Sequence, residues 1–125
     1  MDQDTYLIYK QEYKNFLSTY QSGTTSAEQV GLMIARLSQY FSEANEAYGA
    51  AKKAFNKVLN QIENEIDDKG KLISSAKANS KAIATPDGDA LISTEIDVKN
   101  IDNNINALKS LQKGVLNEYQ HMGNM

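Results

Sequence analysis

The chain has 125 residues, one proline, no cysteine and no tryptophan, and its 13 basic and 16 acidic side chains give a formal net charge of −3. That length holds one domain or one elongated unit. Without cysteine there is no disulfide framework, thiolate nucleophile or Cys-ligated metal centre. One histidine, His121, leaves almost no material for a two-His metal site or a Ser-His-Asp triad.

Apolar residues make up 41% of the chain and charged residues 23%, a balance that folds in water. No window approaches about 18 consecutive apolar residues, so no transmembrane helix is expected. The start, Met1-Asp2-Gln3-Asp4, lacks a basic and an apolar region, so no signal peptide is expected and a cytoplasmic location is the default. The weak acidity argues against a general nucleic-acid coat while leaving room for a local basic patch.

A single proline favours long helices. Tyr6, Tyr9, Tyr13, Phe16 and Tyr20 recur at steps of 3, 4, 3 and 4, one face of a helix over about residues 4–20. Asp2 and Asp4 place negative charge at its start, where the helix dipole favours it. Gln21-Ser22-Gly23-Thr24-Thr25 is a polar break, with Gly23 suited to a left-handed cap. Thr25 and Glu28 have capping-box spacing and should open a second helix.

That second helix carries the clearest periodicity. Val30, Ile34, Leu37, Phe41, Ala44, Tyr48, Ala51, Phe55, Val58, Ile62 and Ile66 alternate steps of 4 and 3 until a final 4. A spacing near 3.5 residues is the heptad pattern of a left-handed coiled coil. The register continues through Lys69, Ile73, Ala76, Ser80 and Ile83, and Gly70 does not shift it. The alternatives are one helix over 26–83 or two collinear helices meeting near Gly70. Glycine costs a helix only about 1 kcal/mol relative to alanine, so continuity is the expectation, over roughly 85–90 Å.

Thr85-Pro86-Asp87-Gly88-Asp89 is the strongest turn: proline ends the incoming helix, Gly88 permits positive φ, and Asp87 or Asp89 can cap the next helix. That last helix, about 89–120, carries Leu91, Val98, Ile101, Ile105, Leu108, Gln112, Val115, Tyr119 and Met122 on one stripe, widened by Ile92, Ile96 and Leu111, and should fray at Gly123-Asn124.

The expected fold is therefore all-α: a single elongated domain over 1–125, an antiparallel helical hairpin or coiled coil with three main helices, the central one very long. A shorter helix folds back on each of its ends. Such a rod buries little core for its size, so self-association or a partner is expected.

Each candidate site has a plain structural alternative. The aromatic stripe Tyr6, Tyr9, Tyr13, Phe16 and Tyr20 reads first as a packing or helix–helix interface, and second as a base-stacking platform. Lys69, Lys71, Lys77 and Lys81 form the one basic stretch, with no acidic residue between Asp68 and Asp87. It suits phosphate contacts, against the alternative of a solvated helix face. Glu63, Glu65, Asp67 and Asp68 would splay around a helix and lack calcium-loop spacing. Asp87-Gly88-Asp89 reads as a turn with a cap. Asn100, Asn103, Asn104 and Asn106 read first as polar side chains facing solvent, the alternative being hydrogen bonds across a helix interface. His121 reads as an exposed bystander, and the seven glycines are scattered singly, so no phosphate loop is present. No catalytic constellation, metal site or cofactor motif emerges, and no small-molecule substrate is expected.

The long heptad helix leads into Lys71-Leu72-Ile73-Ser74-Ser75-Ala76-Lys77-Ala78, a short turn, and a returning helix with Ile105-Asn106-Ala107-Leu108-Lys109-Ser110-Leu111. This arrangement resembles small helical bacteriophage proteins, among them the UvsY-type recombination mediators, over roughly residues 30–120. The resemblance implies an oligomer that binds single-stranded DNA and loads a recombinase, with Lys69, Lys71, Lys77 and Lys81 on the DNA backbone. It also implies residence in the host cytoplasm or the virion. This chain is net acidic with one arginine, Arg36, a composition that equally suits a structural or adaptor role. The first expectation is a non-enzymatic assembly protein whose partners are itself and another protein. The alternative is a mediator that binds single-stranded nucleic acid through the lysines. Aspartate at Phe55 or Ile105 should abolish the fold by burying an unpaired charge.

Overall fold

The computed structural model describes residues 2–23 and 25–123, with side chains described as far as residue 118. The readings for Tyr119, His121, Met122 and Asn124 lie outside the described side chains. The protein is all-helical, with 84% helix and no strand among the described residues. Four helices form there rather than three: α1 (Gln3–Gln21), α2 (Ala27–Glu63), α3 (Ser75–Ile83) and α4 (Pro86–Gly123). They pack as two compact units, Met1–Glu43 with Lys99–Met125, and Ala44–Val98.

The first unit contains α1, the start of α2 and the end of α4. Asp2 caps α1, its carboxylate accepting from the Thr5 N–H at 2.7 Å. That bond holds the Asp2 carboxyl below its ordinary range. Gly23 closes the helix at φ +81°, a left-handed conformation that glycine adopts without steric cost. The capping box that opens α2 sits one residue later than Thr25/Glu28. The Ser26 Oγ accepts from the Gln29 N–H at 3.2 Å, and the Gln29 side-chain Oε1 accepts from the Ser26 N–H at 2.9 Å.

Tyr9, Val30, Leu37, Tyr40, Ile101, Ile105 and Leu108 form the buried interior of this unit. Successive polar pairs fix the helix directions. Glu12 and Tyr9 of α1 meet Arg36 and Tyr40 of α2 in reverse order, so these helices are antiparallel. Tyr6 and Tyr9 meet Asn100 and Asn104 in the same order, so α1 and α4 are parallel. Thus α1 packs on α4 as well as on the start of α2, beyond the single contact expected from the sequence.

The second unit corrects the long central helix. α2 stops at Glu63, and 64–74 form a small hairpin with Ile66 opposite Leu72. Three local features end the helix. The Asp67 Oδ1 accepts from the N–H groups of Lys69 and Lys71 at 2.8 and 2.9 Å, a competing use of the backbone. Gly70 takes φ +77°. Ser74 caps α3, its Oγ accepting from the Lys77 N–H. Ala78 and Ala82, one turn apart, then pack against Phe55 and Ile62, with Val58, Leu59, Ile73 and Leu91 around them. The positions expected to face inward, Ala76, Ser80 and Ile83, are exposed.

The turn into α4 is also tighter than expected. Pro86 is the first residue of α4 rather than the end of a turn, in the position where its missing N–H costs nothing. Thr85 supplies the cap instead of Asp87 or Asp89, its hydroxyl oxygen accepting from the Gly88 N–H at 3.2 Å. Gly88 is helical and buried, without positive φ. Its role is close approach, because a Cβ there would lie 2.2 Å from the Ile83 carbonyl oxygen.

Candidate functional site

The four lysines of the basic stretch belong to the second unit, where the hairpin reverses the chain and lays it beside α3. Between the two walls lies an open cleft of about 790 Å³, lined also by Ile66, Ile73, Ala76 and Ser80. Glu65, Asp67, Asp68 and Lys69 line the hairpin wall, and Lys77 and Lys81 line the α3 wall. The acidic cluster and the lysine stretch, separate in the sequence, therefore share one surface. Three carboxylates and one ammonium group on the hairpin wall stand opposite two ammonium groups on α3.

Lys81 Nζ donates to Glu65 Oε2 at 2.6 Å, with both side chains about half exposed. Lys69, Lys71 and Lys77 are exposed and form no ion pair among the described residues. A phosphate chain entering this cleft would meet the carboxylates as well as the lysines. A basic groove that tracks a nucleic-acid backbone does not have that charge pattern. Among the described residues no group of three or more His, Cys, Asp or Glu side chains is placed to hold a metal ion.

The tyrosine stripe is a packing face of the first unit. Tyr9 is 1% exposed, while Tyr6, Tyr13, Phe16 and Tyr20 are half-buried. The Tyr9 ring lies 5.6 Å from those of Tyr6 and Tyr40, in tilted geometry. Burial pushes the Tyr9 hydroxyl up to about 12, against the hydrogen bond from the Asn104 amide. Burial also raises Tyr13. With Tyr9 enclosed and Tyr6 and Tyr9 bonded to Asn100 and Asn104, the stripe presents no continuous row of open rings for bases to stack on.

Asn100 Nδ2 donates to the Tyr6 hydroxyl at 3.0 Å and Asn104 donates to the Tyr9 hydroxyl. Two of the four asparagines thus bond across a helix interface, the alternative reading of this cluster rather than the first one, simple contact with solvent. Their spacing of four residues matched a helix face, but the partners lie 94 and 95 residues away, so the sequence carried no local signal for them.

A second polar cluster ties α1 to α2. The Arg36 Nε and Nη2 donate to the two Glu12 carboxylate oxygens, each at 3.1 Å, and Tyr40 donates to Glu12 Oε1 at 3.1 Å. The hydrogen bond from Arg36 holds the Glu12 carboxyl below its ordinary range. Arg36 is raised by the same contact, and Tyr40 is raised first by burial and then by the carboxylate. This is a bidentate clamp on a packing face, which accounts for the chain's single arginine.

Among the described residues no helix is long and apolar enough to cross a membrane. Comparison with family models, curated proteins and solved structures finds no match to this chain.

Proposed function

We propose that the chain is a non-enzymatic helical assembly protein, of the phage-encoded kind it resembles, that acts by self-association and by docking a protein partner through its helix faces. The observation that carries this reading is the apolar surface left uncovered. Ile66, Leu72, Ile83, Ile92 and Ile96, all of the second unit, are between 46% and 69% exposed. Ile92 and Ile96 stand one turn apart on α4 and form a short stripe. Scattered single apolar residues are normal on a surface, but several on one small unit point to association. The heptad spacing of α2 supports a coiled-coil contribution to that association.

The mediator reading rests on Lys69, Lys71, Lys77 and Lys81; the first three are exposed and form no ion pair among the described residues, while Lys81 is paired with Glu65. The carboxylates beside them weigh against it. One experiment addresses both readings: mass by light scattering over a concentration series, and anisotropy of labelled single-stranded DNA in the same buffers. The expected result is a mass above the 13.9 kDa of one chain, with no salt-sensitive DNA binding. A chain that stays monomeric to about 1 mM overturns the assembly reading. Salt-sensitive micromolar DNA binding would replace it with the mediator.

A further inference from the structure

The cleft of the second unit carries opposite charge on its two walls, and the hairpin that forms one wall carries Ile66 and Leu72, the two most exposed large apolar side chains described in that unit. We propose that this cleft is the contact face for a second copy of the chain, docked about a two-fold axis so that the hairpin of each copy enters the cleft of the other. The proposal rests on the self-association reading above and names the surface that performs it.

Charge complementarity selects the occupant. The hairpin wall, with three carboxylates against one ammonium group, is net negative, and the α3 wall, with Lys77 and Lys81, is positive. A two-fold contact brings the same patch against itself in reverse, so a surface with its two signs on separate walls is complementary to its own copy. Among the described residues of one chain, only Glu65 and Lys81 form an ion pair across the cleft. Asp68 and Lys77 line opposite walls and form no ion pair among the described residues. In the two-fold complex, Asp68 of each copy faces Lys77 of the other. A nucleic acid would satisfy the lysines and be repelled by the carboxylates, whereas a second copy satisfies both.

The hairpin supplies the apolar part of the contact. The Asp67 N–H donates to the Lys71 carbonyl at 2.6 Å, and the Ile73 N–H donates to the Glu65 carbonyl at 3.0 Å. These bonds flank Ile66 and Leu72, which are therefore a non-hydrogen-bonded pair with side chains close together on one face and backbone groups directed outward. Ile66 is 69% and Leu72 67% exposed. A short unpaired edge with two aliphatic side chains is a surface that another copy can cover.

The test uses the whole chain and two charge reversals at exposed positions, Asp68→Lys and Lys77→Asp. Each variant alone puts like charges at both contacts of the complex. Self-association measured by sedimentation should weaken about tenfold in each, with the far-UV spectrum unchanged. Mixing the two variants creates a pair in which both contacts are again opposite in sign, so a mixed species should form with an affinity near that of the original chain. Ile66→Asn probes the same face without altering charge and should also weaken association. Association unchanged in all three variants, or a mixture no stronger than either variant alone, overturns the cleft as the contact face. An original chain that is itself monomeric to about 1 mM overturns the broader assembly reading instead.

Discussion

Gly88 offers the sharpest test of how the second unit is packed. It is a helical residue in the first turn of α4, where alanine is ordinarily favoured by about 1 kcal/mol. An added Cβ would lie 2.2 Å from the Ile83 carbonyl oxygen and 2.6 Å from the Ile83 carbonyl carbon and Cα. The obstacle is backbone, so no side chain can turn aside. Real Cβ atoms keep about 3.0 Å from such neighbours, so α3 and α4 must separate by something on the order of 1 Å. That shift loosens Ala78 and Ala82 from Phe55 and Ile62 and disturbs the Thr85 cap. Overpacking of this kind costs about 1–3 kcal/mol, and a weakened cap adds about 1. After subtracting the propensity gain, Gly88→Ala should destabilise by about 1–3 kcal/mol. For a chain of this length that lowers the melting temperature by roughly 3–10 °C. Gly49→Ala is the matched control. Gly49 lies inside α2 without positive φ, and a Cβ there meets nothing within 4 Å. It should stabilise by about 0.5–1 kcal/mol. Both are read from the helical circular-dichroism melt at one protein concentration, because association shifts apparent stability. A Gly88→Ala melt at or above that of the original chain, beside a stabilised Gly49→Ala, would refute the close α3–α4 approach.

The packing and the turn yield three more expected outcomes. Tyr9→Phe and Asn104→Ala remove the two ends of one part-buried cross-helix bond, so a double-mutant cycle in denaturant melts should give a coupling of about 1 kcal/mol, and simple additivity would mean that the two side chains do not interact. Glu12 has its folded pKa depressed by Arg36, so its contribution is present above the unfolded value of about 4.3 and is lost as pH falls through the lower folded value. The pair is largely open to solvent, and screening keeps its contribution small. Glu12→Gln should flatten the acid limb of stability below about pH 5, and an unchanged limb would argue against the clamp. Asp67→Ala removes the acceptor of two turn N–H groups. It should speed hydrogen exchange at Lys69 and Lys71 while the helix content stays within error; a rise in helix content would mean that Asp67 alone was holding α2 apart from α3.

The helical class and the inward face of α2 were legible because periodicity reports on burial. Val30, Leu37, Ala44 and Ala51, spaced by seven, are all buried, as are Phe55 and Ile62 of the companion positions. Phe55 and Ile105, marked from the sequence as intolerant of charge, lie in the interior of the two units. Periodicity is silent about chain breaks. The register ran on through Ile73, Ala76, Ser80 and Ile83, and it misled because Asp67, Gly70 and Ser74 each disfavour or redirect a helix by only about 1 kcal/mol. Together, with Ala78 and Ala82 gaining a packed site, they prevail. The same break changes the meaning of the charges. On a continuous helix Glu65 and Lys81 would stand roughly 24 Å apart, and the stretch after Asp68 would be a basic segment remote from its acidic neighbours. The reversal at Gly70 brings those two side chains to 2.6 Å. A block of acid followed by a block of lysine thus folds into a neutral surface with two signs on two walls. A single turn therefore separates a face suited to phosphate from a face suited to a second copy of the same chain.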